Sequence, residues 1–207
     1  MASTRRSQAE RSAATREALL DAAIECLVHH GYASTTTSVV AERAGVSRGA
    51  HLHHFQTRTA LVGAAVEALA QRWMDELRVT AAALGPGEDR TLAGLDLLRD
   101  HYASPLFQAA MDLWTDARSD DELRERLIEV ERLLDRETLE LARELFPELA
   151  RTRDFEGLLQ QAVATVRGLA MLDTLHPDGE RNREQWRFIR VQLAELFAAA
   201  TASSSTA

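Results

Sequence analysis

Four consecutive residues, Ser47-Arg48-Gly49-Ala50, gather the groups a protein needs to touch a nucleic-acid duplex. A serine hydroxyl beside free backbone N–H groups suits a phosphate oxygen at a helix start. The Arg48 guanidinium is a planar fork that pairs with both acceptors of a guanine edge, typically worth about 1–3 kcal/mol of discrimination. Gly49 and Ala50 keep that helix face low, so backbone and methyl can approach thymine methyls or phosphates. His51, His53 and His54 follow, the first and last three apart on one helix. A metal reading of these lacks the cysteines or carboxylates that would complete a coordination sphere, so groove-facing and interhelical packing roles fit better. Arg5, Arg6 and Arg11 form either a minor-groove arm or a solvated tail.

Such residues act only if short helices hold them at a fixed crossing, and the flanking sequence has that layout. Leu20, Ala23, Ile24, Leu27 and Val28 recur at helical spacing from about Arg11 to His30, and Gly31 stops the run. Thr35, Thr36, Thr37 and Ser38 offer hydroxyls to cap a short second helix. Ala41 is small where the helices must cross, Gly45 permits the positive φ of a tight turn, and Val46 is expected to plug the shared core. Ser47 caps the third helix, through about His54. Thr57 caps a fourth from about Arg58 to Leu84, which Gly85-Pro86-Gly87 ends. Further helices are expected near 89–102, 104–117, 120–145, 152–175 and 181–200. His176-Pro177-Asp178-Gly179 reads as a turn. The polar first ten residues and the TASSSTA tail are expected to fray without packing.

Charge divides in the same way. The 207 residues carry a net −8, yet residues 1–60 hold seven arginines against five carboxylates, a net +2, and the remainder a net −10. The first part can approach phosphates and the rest is repelled by them. All 24 basic residues are arginine. The single cysteine, Cys26, excludes an internal disulfide and reads as a small buried hydrophobe. With no apolar run of membrane-span length and no apolar signal segment, a cytoplasmic location is expected.

The stretch GYASTTTSVVAERAGVSRGAHLHHFQTRTALV resembles the N-terminal signature of TetR-type regulators across about residues 12–66. Gly31-Tyr32, the threonines, Ala41, Ala44-Gly45-Val46-Ser47, Gly49, His54-Phe55 and Leu61 fall in the family's order and spacing. The resemblance implies DNA contacts from Thr37 and Ser38 at the start of helix two, from Arg48, Gly49, Ala50, Leu52, His53 and His54 on helix three, and from Arg58 opening helix four. One departure is plain: Leu52 stands where the family usually carries a phosphate-binding tyrosine, and leucine cannot donate a hydrogen bond. The expected architecture is all-α with about nine helices. Residues 1–57 form a three-helix DNA-binding helix-turn-helix domain, and residues 58–207 a helical ligand-binding and dimerisation domain.

One such module covers half an operator, so a homodimer on palindromic double-stranded DNA is expected. Phe155, Leu158, Leu159, Ala162, Val163, Val166, Leu169 and Ala170 form a broad apolar stripe. Trp186, Ile189, Leu193, Leu196 and Phe197 form a second on the final helix. These face either a partner or the protomer's own core, and the resemblance favours the partner. For a small-molecule effector the adaptable side chains are Trp73, Tyr102, Phe107, Met111, Trp114 and Met171, with His101, Arg118 and Arg167 as polar candidates; ordinary core is the alternative. Repression relieved by that effector is the default reading. Its rivals are a ligand-independent DNA-binding protein and a helical enzyme. Against the enzyme, the sequence has no nucleophile with a positioned base, no phosphate-cradling glycine loop and no metal-ligand spacing. No cofactor is expected.

Overall fold

The computed structural model describes residues 7–84, 90–175 and 179–204. Among them every regular element is helical: α1 (Gln8–Ser34), α2 (Thr37–Arg43), α3 (Arg48–His54), α4 (Arg58–Ala82), α5 (Arg90–Tyr102), α6 (Pro105–Asp116), α7 (Asp121–Leu145), a 3₁₀ turn (Leu149–Arg151), α8 (Phe155–Leu175) and α9 (Glu180–Ser204). The all-α architecture expected from periodicity and the family resemblance is the one observed among the described residues. No helix among the described residues is long and apolar enough to cross a membrane. Residues 5 and 6 of the arginine arm, the Gly85-Pro86-Gly87 break and residues 176–178 of the expected turn lie outside the described residues. The chain divides into two compact units, Met1–Arg72 with Ala109–Glu131, and Trp73–Gln108 with Arg132–Ala207.

In the first unit, α1 starts earlier than its apolar pattern suggests. Ser7 Oγ accepts from the Glu10 N–H while the Glu10 carboxylate accepts from the Ser7 N–H, a capping box that satisfies donors at both positions. Frayed ends were expected here, and the cap is what overturns that for residues 7–10. Leu19, Leu20, Ala23 and Cys26 of α1, Val40 of α2, and Leu61, Val62 and Ala65 of α4 are essentially sealed from solvent. Phe55, closing α3, is buried with them. Leu113, Leu123 and Leu127 extend this unit's core, and Leu123 takes its N–H bond to the capping carboxylate of Asp120 at 3.0 Å.

The second unit packs α5, α8 and α9 mutually. Met74, Leu77 and Ala81 of α4 meet Leu141 of α7 in a buried cluster, flanked by Leu97, Leu134 and Leu145. Polar ties reinforce this packing. Asp96 of α5 accepts from Trp186 Nε1 at 2.7 Å and pairs with Arg190. Asp173 of α8 pairs with Arg99 and accepts from the buried Asn182 at 2.7 Å. The 3₁₀ turn was not anticipated; it buries Leu149 after Pro147 has closed α7. Part of the tail expected to stay unpacked continues α9 to Ser204, where the hydroxyls of Thr201 and Ser203 donate to the carbonyls of Phe197 and Ala199.

Candidate nucleic-acid interface

Three caps in a row shape the reading surface. Thr36 Oγ1 accepts from the Val39 N–H at 3.3 Å, Ser47 Oγ from the Ala50 N–H at 3.3 Å, and Thr57 Oγ1 from the Ala60 N–H at 3.0 Å. Each starts a helix where the threonines and serine predicted one. Between α2 and α3, Gly45 adopts φ +64° and the Val46 N–H donates to the Ala41 carbonyl at 2.9 Å. That conformation favours glycine whatever the surrounding space. Ala41 is buried, as the crossing requires, whereas Val46 is half-buried and covers the turn rather than plugging the core.

On α3 the side chains divide by face. Arg48, Gly49, Leu52 and His53 are exposed, Leu52 at 47%, and Ala50 and His54 are half-buried. His51 is 2% exposed and anchors the helix from beneath; its Nε2 is buried without a hydrogen-bond partner among the described residues. Burial, and then the neighbouring His54, push the His51 pKa down, which favours the neutral ring. His54 shifts the same way through burial, His53 and Arg16. Ser47 and Ser38 are exposed and Thr37 is half-buried. Arg48 forms no ion pair among the described residues, which leaves its five donors turned to solvent. No group of three or more histidine, cysteine, aspartate or glutamate residues suited to a metal is present among the described residues.

Arg58 points elsewhere. Its Nε donates to the Thr35 carbonyl at 2.8 Å and a terminal nitrogen to the Tyr32 carbonyl, with the guanidinium 3.7 Å from the Tyr32 ring centroid. The residue expected to touch a phosphate therefore clasps the corner between α1 and α2. Sequence spacing shows where α4 begins but not that its first side chain folds back. Tyr32 in turn donates to Asp120 at 3.1 Å. Burial first, and that carboxylate next, raise its pKa.

The effector candidates separate into three environments. Trp73, His101, Tyr102, Phe107 and Arg167 converge in the second unit. Trp73 and His101 stack with centroids 3.4 Å apart, and Tyr102 meets Trp73 edge-on at 5.3 Å and Phe107 at 4.9 Å. Arg167 Nε donates to the Tyr102 hydroxyl at 3.3 Å. Trp73 Nε1 and His101 Nε2 are buried without partners among the described residues, and burial lowers the His101 pKa to about 3. Met171 turns outward, 51% exposed, and takes no part in this cluster. Met111, Trp114 and Arg118 belong to the first unit, where Trp114 and Arg118 line an open groove of about 340 Å³ with Leu127 and Ile128.

The interface stripes need correction. Of the residues expected to meet a partner, Phe155, Leu159, Ala162, Val166, Trp186, Leu193 and Phe197 are buried within the protomer. Leu158, Val163 and Ile189 are half-buried, and Leu196 is 43% exposed. Helices α8 and α9 are apolar on two faces, and periodicity alone does not say which face the protomer's own α5 takes. The outward face carries Met171, Leu172 and Leu175 on α8, and Phe188, Val191 and Leu196 on α9, with Phe188 68% exposed and Leu175 72%. A β-carbon on Gly168 would meet nothing within 4 Å, so this face is open there.

Two helices joined by a glycine turn, the second capped and presenting an exposed arginine, place the chain among helix-turn-helix DNA-binding regulators. Its residues 19–65 match the family described as bacterial regulatory proteins, tetR family. The HTH-type transcriptional regulator CymR of Pseudomonas putida is 35% identical over 184 residues, 87% of this chain and 90% of the relative. A TetR transcription regulator from Haloarcula marismortui shares the fold with a TM-score of 0.65 at 20% identity, covering 88% of this chain and 97% of that one. So does the multidrug binding protein EbrR, solved with imidazole, with a TM-score of 0.63 at 23% identity over 86% of this chain and 93% of that one. The chain belongs to the TetR family and is a DNA-binding transcriptional regulator.

Proposed function

We propose that this regulator is a cytoplasmic, homodimeric repressor that a small molecule releases from a palindromic operator. Residues 1–57 read DNA in this account, and residues 58–207 bind the effector and the partner protomer. The observation that carries it is the division of α3, with Arg48, Gly49, Leu52 and His53 outward on a capped helix and His51 locked beneath. Arg48 reads a guanine, Ser47 and Ser38 position phosphates, and Leu52 makes an apolar contact, with thymine methyls or sugars, where a hydroxyl would have bonded phosphate.

Dimerisation uses the outward faces of α8 and α9, which hold the apolar side chains the protomer leaves uncovered. α4 opens beside the reading helices and carries Trp73 farther along, so effector binding that displaces α4 respaces the two copies of α3 and lowers the operator-competent population. EbrR, which shares the fold, is itself solved with a small molecule bound. The decisive experiment is selection of bound duplexes from random DNA. A palindromic consensus with half-sites about one turn apart is expected; recovery without sequence preference rejects the reading.

A further inference from the structure

A place for the effector's apolar body lies away from the aromatic cluster that the sequence pointed to. An inner cavity of about 40 Å³ is walled by leucines of α4, α5 and α7 with Ala142, Ala162 and Phe146. Its single hydroxyl, on Thr138, is turned to Met74 Sδ at 4.0 Å. A water needs two or more polar partners, and this lining offers one hydroxyl at most, so the space favours apolar atoms. A second, outer cleft of about 200 Å³ opens between α5, α9 and the 3₁₀ turn. The two spaces share Leu145, Phe146 and Phe197, and the two rings meet edge-on at 6.0 Å as the partition between them.

The partition has a specific seat. A β-carbon added to Gly94 would stand 2.5 Å from Phe146 Cζ, so the ring points its tip at bare α5 backbone. Swinging Phe146 aside joins the cavity to the cleft. At the mouth, both Glu148 oxygens lie within 3.0 Å of Arg151, whereas Arg90 has no ion pair among the described residues. A guanidinium is donor-only, so the group it meets must accept.

We propose that this pair of spaces binds a small single-headed amphiphile, its apolar body entering past Phe146 and its hydrogen-bond-accepting head held at Arg90. This rests on the effector-released reading above and supplies its ligand class. Calorimetric titration of the intact protein with octanoate, octan-1-ol and octylammonium tests it. The first two are expected to bind once per chain, at least tenfold more tightly than octylammonium, and Arg90→Met should abolish that preference. Ala142→Leu, which fills the inner cavity, should weaken octanoate at least tenfold, while Phe146→Leu should leave it equal or tighter. Equal binding of octylammonium, no binding of octanoate and octanol by folded protein, or wild-type affinity in folded Ala142→Leu overturns the proposal. Should Ala142→Leu fail to fold, the head-group preference and the Arg90 and Phe146 variants still decide. Operator affinity is measured separately. Octanoate bound without operator release keeps the site and rejects the switch, whereas release that Ala142→Leu does not impair keeps the switch and overturns this site.

Discussion

The helix-turn-helix and the α8–α9 pair both expose functional-looking side chains, but they are built on opposite terms. Around α3 each outward residue is backed by a local device: a cap three residues away, a glycine turn, a buried histidine on the opposite face. On α8 and α9 the outward residues have only apolarity, and what distinguishes Leu196 from Leu193 is which side α5 occupies. Local chemistry makes a surface legible; long-range packing decides which of two equivalent faces becomes one.

The sharpest way to break that comparison is to place a charge on each face. Leu193→Glu buries a carboxylate in the protomer core and should cost more than about 4 kcal/mol, unfolding the protein in a denaturant titration. Leu196→Glu, three residues on, should keep each protomer folded but dissociate the dimer in analytical ultracentrifugation. If both variants behave alike, the assignment of faces is wrong. Arg48→Ala should next weaken operator binding at least about 30-fold, from roughly 1–3 kcal/mol at each of two half-sites, with an unchanged circular dichroism spectrum. Unaltered anisotropy titrations would remove Arg48 from the interface.

A pH series sharpens the contrast from the other unit. His101 has a folded pKa of about 3 against 6.5 when unperturbed, so the unfolded chain takes up the proton first. The stability it contributes is complete above 6.5 and is lost progressively as pH falls towards 3, with a slope of up to about 1.4 kcal/mol per pH unit. His101→Phe should flatten that part of the profile in urea titrations at stepped pH. Smallest is Ser47→Ala, expected to cost about 1 kcal/mol by freeing the Ala50 N–H. Its operator affinity should fall more than its melting temperature, and the reverse order would reduce Ser47 to a structural cap.

The sequence disclosed α2, the turn and α3 nearly residue by residue, because caps, a left-handed glycine and a short apolar period all act within a few positions. It disclosed the order of the longer helices among the remaining described residues, since prolines and glycines punctuate the sequence. Two kinds of fact stayed hidden. Arg58 looked like a surface cation because nothing local shows that the carbonyls of Tyr32 and Thr35 lie within its reach. The seat of Phe146 on Gly94 joins α5 to the end of α7, and the signal available was a glycine inside an otherwise helical run.

The fold-back of Arg58 has a mechanical result. Tyr32 and Thr35 sit just past the left-handed break at Gly31, where the backbone changes direction with no helical ladder to stiffen it. Riveting both carbonyls to the opening turn of α4 makes the corner and that turn move as one piece. On the release mechanism proposed above, a pull on α4 reaches the entrance of α2 through these bonds.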